Sequence, residues 1–252
     1  MQNLAGLSPV VLGLFAATIG LLLFGVLGSG LARFGLAWWQ ASLVLFASLA
    51  GSPINIPLGV VQSQPSSFVG RHSHYLATHA FATPSTTVAI NVGGAVIPII
   101  ICIYLILRFP RAIPIALAAT VAVAAIVHMV AQPIAGVGIE TPALLPPVVA
   151  AGATLLLSAV FGSGPQNRFA CAYISGTLGT LIGADILNLG VVSSLGGGTA
   201  SIGGAGTFDG VFLSGLLAVM LLLDPFSNRP PAANAEPSAP PDDGAQTLAF
   251  SH

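Results

Sequence analysis

Lysine does not occur in this chain, and charge of either sign is scarce: Asp, Glu, Lys and Arg together make up 5% of the 252 residues. A soluble domain of ordinary composition carries about 25% charged residues. So few charges cannot clothe a surface facing water, and lipid becomes the expected solvent for most of it. The six basic residues are all Arg, and the formal net charge of −1 leaves no basic face for nucleic acid. Cysteine is limited to Cys102 and Cys171, both inside apolar stretches. On the topology argued below they fall at different depths, so they read as small buried hydrophobes and not as a disulfide. No Walker loop, HExxH, dinucleotide fingerprint or ordered Ser-His-Asp set appears, and the residues assign no cofactor.

What the chain has in abundance is apolar sequence, 55% of its residues. A membrane-spanning helix needs about 20 mostly apolar residues. Seven stretches meet that need, at about 9–32, 37–58, 86–107, 112–131, 143–162, 169–191 and 207–223. The second is interrupted by Gly51-Ser52-Pro53 and Pro57. The expected fold is therefore an all-α, polytopic transmembrane bundle over 1–223. The Pro-, Ala- and Asp-bearing remainder, 224–252, is expected to be a disordered cytoplasmic tail. Basic residues stay on the cytoplasmic side of a membrane. Arg33, Arg108, Arg111, Arg168 and Arg229 all fall on one side if the N-terminus is outside and the C-terminus inside; only Arg71 falls on the other. A multi-pass protein of the inner (cytoplasmic) membrane follows.

This topology makes the inner connections short and the outer ones long, at about 59–85, 132–142 and 192–206. The outer segments are rich in Gly, Pro and Ser and are candidates for re-entrant or unwound backbone, which is tolerated at membrane depth where it is buried in protein or lines a cavity. The polar residues lean the same way. Asn55 falls near the outer end of the second stretch, Thr86, Thr87 and Asn91 open the third, and His128 and Gln132 close the fourth. Asp185 and Asn188 lie near the outer end of the sixth, and Asp209 in the first turn of the seventh. An ionisable group in a membrane usually faces the bundle interior or a water cavity. On the sixth stretch Gly176, Gly179 and Gly183 form a small-residue stripe suited to close helix contact, with Asp185 and Asn188 on another face. That helix is expected to be central. The histidines His72, His74, His79 and His128, with Glu140, invite a metal reading, but their spacing matches no standard site and no metal is assigned.

Several segments resemble a family of bacterial and archaeal multi-pass membrane proteins known as domain of unknown function 1614. They are Ile54-Asn55-Ile56-Pro57-Leu58, the run Ala89 to Pro98, Gly136-Val137-Gly138-Ile139, the run Ala172 to Asp185, and the run Ala200 to Gly210. The resemblance covers most of 40–222 and implies no activity. A looser resemblance is to intramembrane aspartyl proteases of the presenilin type. These pair an Asp in one helix with Gly-x-Gly-Asp in the next, as Asp185 and Gly206-Thr207-Phe208-Asp209 would, except that Phe208 replaces the second Gly. Pro142-Ala143-Leu144 matches their Pro-Ala-Leu motif but precedes both aspartates.

Three functions are compatible with this pattern. The first is a carrier or binding protein for a small polar or cationic solute, with Asn55, Thr87, Asn91, Asp185, Asn188 and Asp209 as binding residues; Gly/Pro-interrupted helices and intramembrane acids are the usual pointers to such sites. The second is a protease acting on a membrane-embedded peptide, with Asp185 and Asp209 sharing a proton as catalytic acid and base. The third is an accessory subunit of a membrane complex. The lipid bilayer is the partner common to all three, and a homo-oligomer is compatible with each.

Overall fold

A computed structural model describes Gly25 and residues 28–62, 85–134, 138–194, 198–204 and 210–222. Most of the first apolar stretch, the loop bearing His72, His74 and His79, Asp209 and the tail 224–252 lie outside the described residues. Helix dominates what is described. After a short helical segment at 28–32 come α1 (Trp38–Gly51), α2 (Ile97–Arg108), α3 (Ile113–Val130), α4 (Leu145–Phe161), α5 (Pro165–Thr180) and α6 (Gly210–Leu221). With the turns that continue them, the helical segments Pro110–Val130 and Pro165–Val191 are long and apolar enough to cross a membrane. At about 1.5 Å per residue their 21 and 27 residues exceed the roughly 30 Å of a hydrocarbon core.

The all-α expectation needs correcting. Three segments form a sheet in the order β1-β2-β5: β1 (Asn55–Gln62), β2 (Ser85–Asn91) and β5 (Gly198–Ile202). β1 pairs antiparallel and β5 parallel with β2. A second ribbon joins β3 (Gln132–Ile134) to β4 (Gly138–Glu140). All five strands come from the long connections and their borders. The second stretch was expected to be helical over 37–58, but α1 stops at Gly51. Pro53 brings no N–H to continue the helical ladder, and beyond it Ile56, Leu58 and Val60 alternate with a period of two. Pro57 is accommodated because β1 is an edge strand with a register shift between Pro57 and Gly59. The third stretch was expected to be helical from 86. Instead Thr86-Thr87-Val88-Ala89-Ile90 is strand, as its β-branched content favours, and the helix proper begins only at Ile97.

Helix α5 is central, as expected. Ten of its residues, from Ala170 through Thr180, are buried, and it packs against α2, α3, α4 and α6. The interior is made of small residues, among them Ala116, Ala119, Ala150, Ala172 and Ala218, with Tyr173, Phe34 and Leu216 filling the larger gaps. The glycine stripe on α5 serves two neighbours. Gly179 and Gly183 lie against Val123, Ala124 and Val127 of α3, whereas Gly176 lies against Gly215 of α6. Between α5 and α6, Thr180 Oγ1 donates to Ser214 Oγ (2.9 Å) and Ser214 Oγ lies 3.1 Å from the Gly176 carbonyl. The outward faces are apolar: Met129 is 83% and Leu107 77% exposed, and Leu117, Val121, Leu156 and Val160 are exposed with them. Small residues line the close helix contacts inside, and large apolar side chains lie on the outward faces. The two cysteines are buried and unpaired, and Cys171 Sγ donates to the Ala112 carbonyl at 3.3 Å.

Candidate polar site at the helix breaks

The site begins with two helices that lose regular α geometry at the sheet. Between β2 and α2 the chain makes a π turn, Val92–Val96; α5 likewise passes into a π turn, Leu181–Asp185, and then a 3-10 segment, Ile186–Ser194. Single π turns inside helices mark functional sites often enough to direct attention there.

Asn91 organises the first break. It is 1% exposed, and both ends of its amide are in use. Nδ2 donates to the Ser52 carbonyl (2.6 Å) and to Asn55 Oδ1 (3.0 Å), while Oδ1 accepts from Gly94 N (2.8 Å). It thus caps the π turn and ties it to the end of α1. Ser48 Oγ adds a hydrogen bond to the Gly93 carbonyl at 2.7 Å. Gly93 has no room for a side chain: a Cβ there would run into the Ser48 carbonyl oxygen and would lie 2.5 Å from Ser52 N. Gly93 is therefore a backbone-to-backbone contact between α1 and the π turn.

Asp185 organises the second break. It is half-buried at the end of its π turn, and its Oδ2 accepts a hydrogen bond from Gly203 N at 2.8 Å. Gly203 follows β5 with φ +91°, and Gly204 has φ +97°, values open to glycine at little cost. A Cβ on Gly203 would also lie 2.6 Å from that of Ala95, so the exit of β5 is pressed onto the first π turn while bonded to the carboxylate beside the second. Ser201, in β5, donates Oγ–H to Asn55 Oδ1 at 2.6 Å. Asn55, Asn91, Ser201 and Asp185 therefore belong to one constellation in which β5 joins the two breaks.

Other expected residues fall differently. Asn55 is in β1 and Thr87 in β2, not in helices; Thr87 is half-buried and paired with Val60 and Thr199 in the sheet. Asn188 is buried and turns back on its own helix, with Nδ2 donating to the Gly183 and Ala184 carbonyls at 2.9 Å each. It supports the break in α5 and presents no free amide donor pair to a ligand. His128 is exposed on α3. Among the described residues no three His, Cys, Asp or Glu side chains gather as a metal would require. Asp209, His72, His74 and His79 lie outside the described residues, so the pairing of Asp185 with Asp209 has no geometry to report.

Ser201 and the Gly203 amide were not among the expected site residues, although both lie in the family-resembling run Ala200 to Gly210. The signal was available: in Gly198-Thr199-Ala200-Ser201-Ile202 the hydroxyls alternate with apolar residues, as on one face of a strand.

A family model described as a protein of unknown function, DUF1614, matches residues 49–221. The matched span opens at the end of α1 and closes at the end of α6, so it contains every residue of the constellation. No curated protein and no solved structure matches the chain.

Proposed function

Given that the chain belongs to the DUF1614 family, whose description carries no activity, we propose that it is a multi-pass protein of the cytoplasmic membrane that binds, and in a carrier cycle moves, a small polar or cationic solute at Asp185. The apolar outward faces, the two helices of spanning length and the one-sided arginines support a bundle of about seven spans, N-terminus outside and C-terminus inside. On that topology the sheet and both π turns sit at the outer face, where the solute enters.

The observation that carries the reading is the half-buried Asp185 carboxylate at a helix break, held to the rim of the sheet by the Gly203 amide. Interrupted helices with an acidic group at the break are how membrane proteins build solute and ion sites. Asn91 and Asn188 are the scaffold of that site. Asp185, with Ser201 and Asn55 beside the same strand end, is its binding face.

The test is Asp185→Asn. The amide keeps an acceptor oxygen for Gly203 N and removes the charge. Purified protein is screened by thermal unfolding against sodium, ammonium, choline and arginine. The expected result is that at least one of them stabilises the wild type saturably, by about 2.7 kcal/mol at a hundredfold excess over Kd, and does not stabilise Asp185→Asn. Equal shifts in both proteins, or none in either, would refute it.

A further inference from the structure

At the other end of the bundle the short connections border an open cavity of about 1230 Å³, lined among others by Arg33, Arg108, Arg111, Gln166 and Phe169. Three guanidinium groups share this space, with Arg33 5.8 Å from the centre of the Phe169 ring and Arg108 5.7 Å from that of Phe109. Arg168 follows one residue after the lining residue Asn167, and its buried Nε has no hydrogen-bond partner among the described residues.

The backbone adds charge of the same sign. Both spanning-length helices, Pro110–Val130 and Pro165–Val191, begin at this cavity. Each opens with proline, and neither has a side-chain cap, so first-turn N–H groups are left for an outside acceptor. A helix N-terminus carries roughly half a positive charge. The carboxylates among the described residues, Glu140 and Asp185, are in β4 and the second π turn. They are one helix length away, on the order of 27 Å. Three arginines and two helix N-termini with no carboxylate beside them among the described residues repel one another, and an anion held between them removes that cost. Guanidinium forks and helix N-termini are both matched to phosphate oxygens.

The surroundings select the kind of phosphate. The cavity exceeds the range of about 300–1,000 Å³ typical of small-ligand pockets, which is far more room than a lone inorganic phosphate fills. Trp38, a few residues from Arg33, is 79% exposed, and Trp39, Leu107 and Phe161 are exposed as well. Such aromatic and aliphatic side chains belong at the level where headgroups meet acyl chains. We propose that this basin binds the phosphodiester headgroup of an anionic phospholipid of the inner leaflet, in the manner of basic pockets between membrane helices. The proposal rests on the membrane reading but not on the solute site.

The experiment uses the full chain, delipidated in a neutral detergent, and follows thermal unfolding during titration with phosphatidylglycerol, phosphatidylcholine or inorganic phosphate. Phosphatidylglycerol is expected to raise the unfolding temperature saturably, while the other two leave it unchanged. Arg33→Gln with Arg111→Gln should weaken phosphatidylglycerol at least tenfold, as the loss of a charge-assisted hydrogen bond of about 1.5–3 kcal/mol implies. Arg71→Gln, the same loss of charge in the loop expected on the opposite side, should not. If the Gln variants do not fold, Arg33→Lys with Arg111→Lys keeps the charges and loses the planar forks, and must still bind more weakly than wild type. Equal response to phosphatidylcholine, reproduction of the shift by inorganic phosphate, or undiminished binding by the folded arginine variants would each overturn the proposal. The readout needs no solute at Asp185, so its failure is separate from failure of that site.

Discussion

Replacing Gly183 by Ala adds one methyl group where the π turn after α5 lies close against α3. That Cβ would lie 2.5 Å from the Ala124 carbonyl oxygen, 2.9 Å from Val127 Cβ and 3.0 Å from Ala124 Cα. Carbon contacts are most favourable at about 3.5–4.0 Å, so the helices must part by about 1 Å. Two of the three obstructing atoms are backbone and cannot swing aside. Overpacking of this kind costs about 1–3 kcal/mol. Ala recovers up to about 1 kcal/mol over Gly in a regular helix, less in a π turn, so the net loss is about 1–2 kcal/mol. Gly152 in α4 is the control, because a Cβ there meets nothing within 4 Å, and Gly152→Ala should gain up to about 1 kcal/mol. The two variants should therefore differ by about 1–3 kcal/mol, or on the order of 2–12 °C for a chain of this size. Thermal unfolding of the purified protein in one detergent, followed by loss of monodispersity, reads the difference directly. If Gly183→Ala melts at or above Gly152→Ala, the close approach of α5 and α3 is wrong. The placing of Asp185, two residues later, would fall with it.

Two further substitutions test the interior. Asn91→Ala removes three hydrogen bonds from a buried position and should cost about 3 kcal/mol. Asn91→Asp keeps the acceptor for Gly94 N but turns a charge toward the Ser52 carbonyl and Asn55 Oδ1, and should fare no better at neutral pH; denaturant titration of either at wild-type stability would contradict the capping role. Tyr173 is fully buried, edge-on to Phe34 at 5.6 Å, and its hydroxyl has no hydrogen-bond partner among the described residues. Tyr173→Phe keeps the ring contact and removes the stranded hydroxyl, so the unfolding temperature should hold or rise, by up to about 1 kcal/mol in stability. A fall of that size would mean the hydroxyl has a partner.

Composition revealed most of the described helices because a long apolar segment sums its signal over many residues. The stripe of Gly176, Gly179 and Gly183 was legible for the same reason, since small residues at helical spacing have few uses other than close packing. The sheet was not legible. Residues 55–62 and 86–91 are apolar enough to read as continuations of the helices they adjoin, and a short apolar run does not declare its period. Asn55 and Thr87 were consequently placed on helices, whereas they lie in strands. Asn91 and Asn188 show a different limit. Sequence reveals that an amide is buried but not whether its bonds go to a ligand or to nearby backbone, and here they go to backbone. Ser201 was missed because its strand lies within a Gly-rich segment that reads as loop.

The parallel pairing of β2 with β5 also has a temporal meaning. Thr86 and Gly198 are register partners, yet α2, α3, α4 and α5 lie between them in the chain. A ribosome completes all four helices before the third strand of the sheet exists. Until then β2 has only β1 beside it, and the carboxylate of Asp185 lacks the amide of Gly203. Pairings so distant in sequence form late. The polar constellation therefore forms only after α5 has been made, and a chain halted between α5 and β5 would carry Asp185 without its Gly203 partner and β2 without its parallel neighbour.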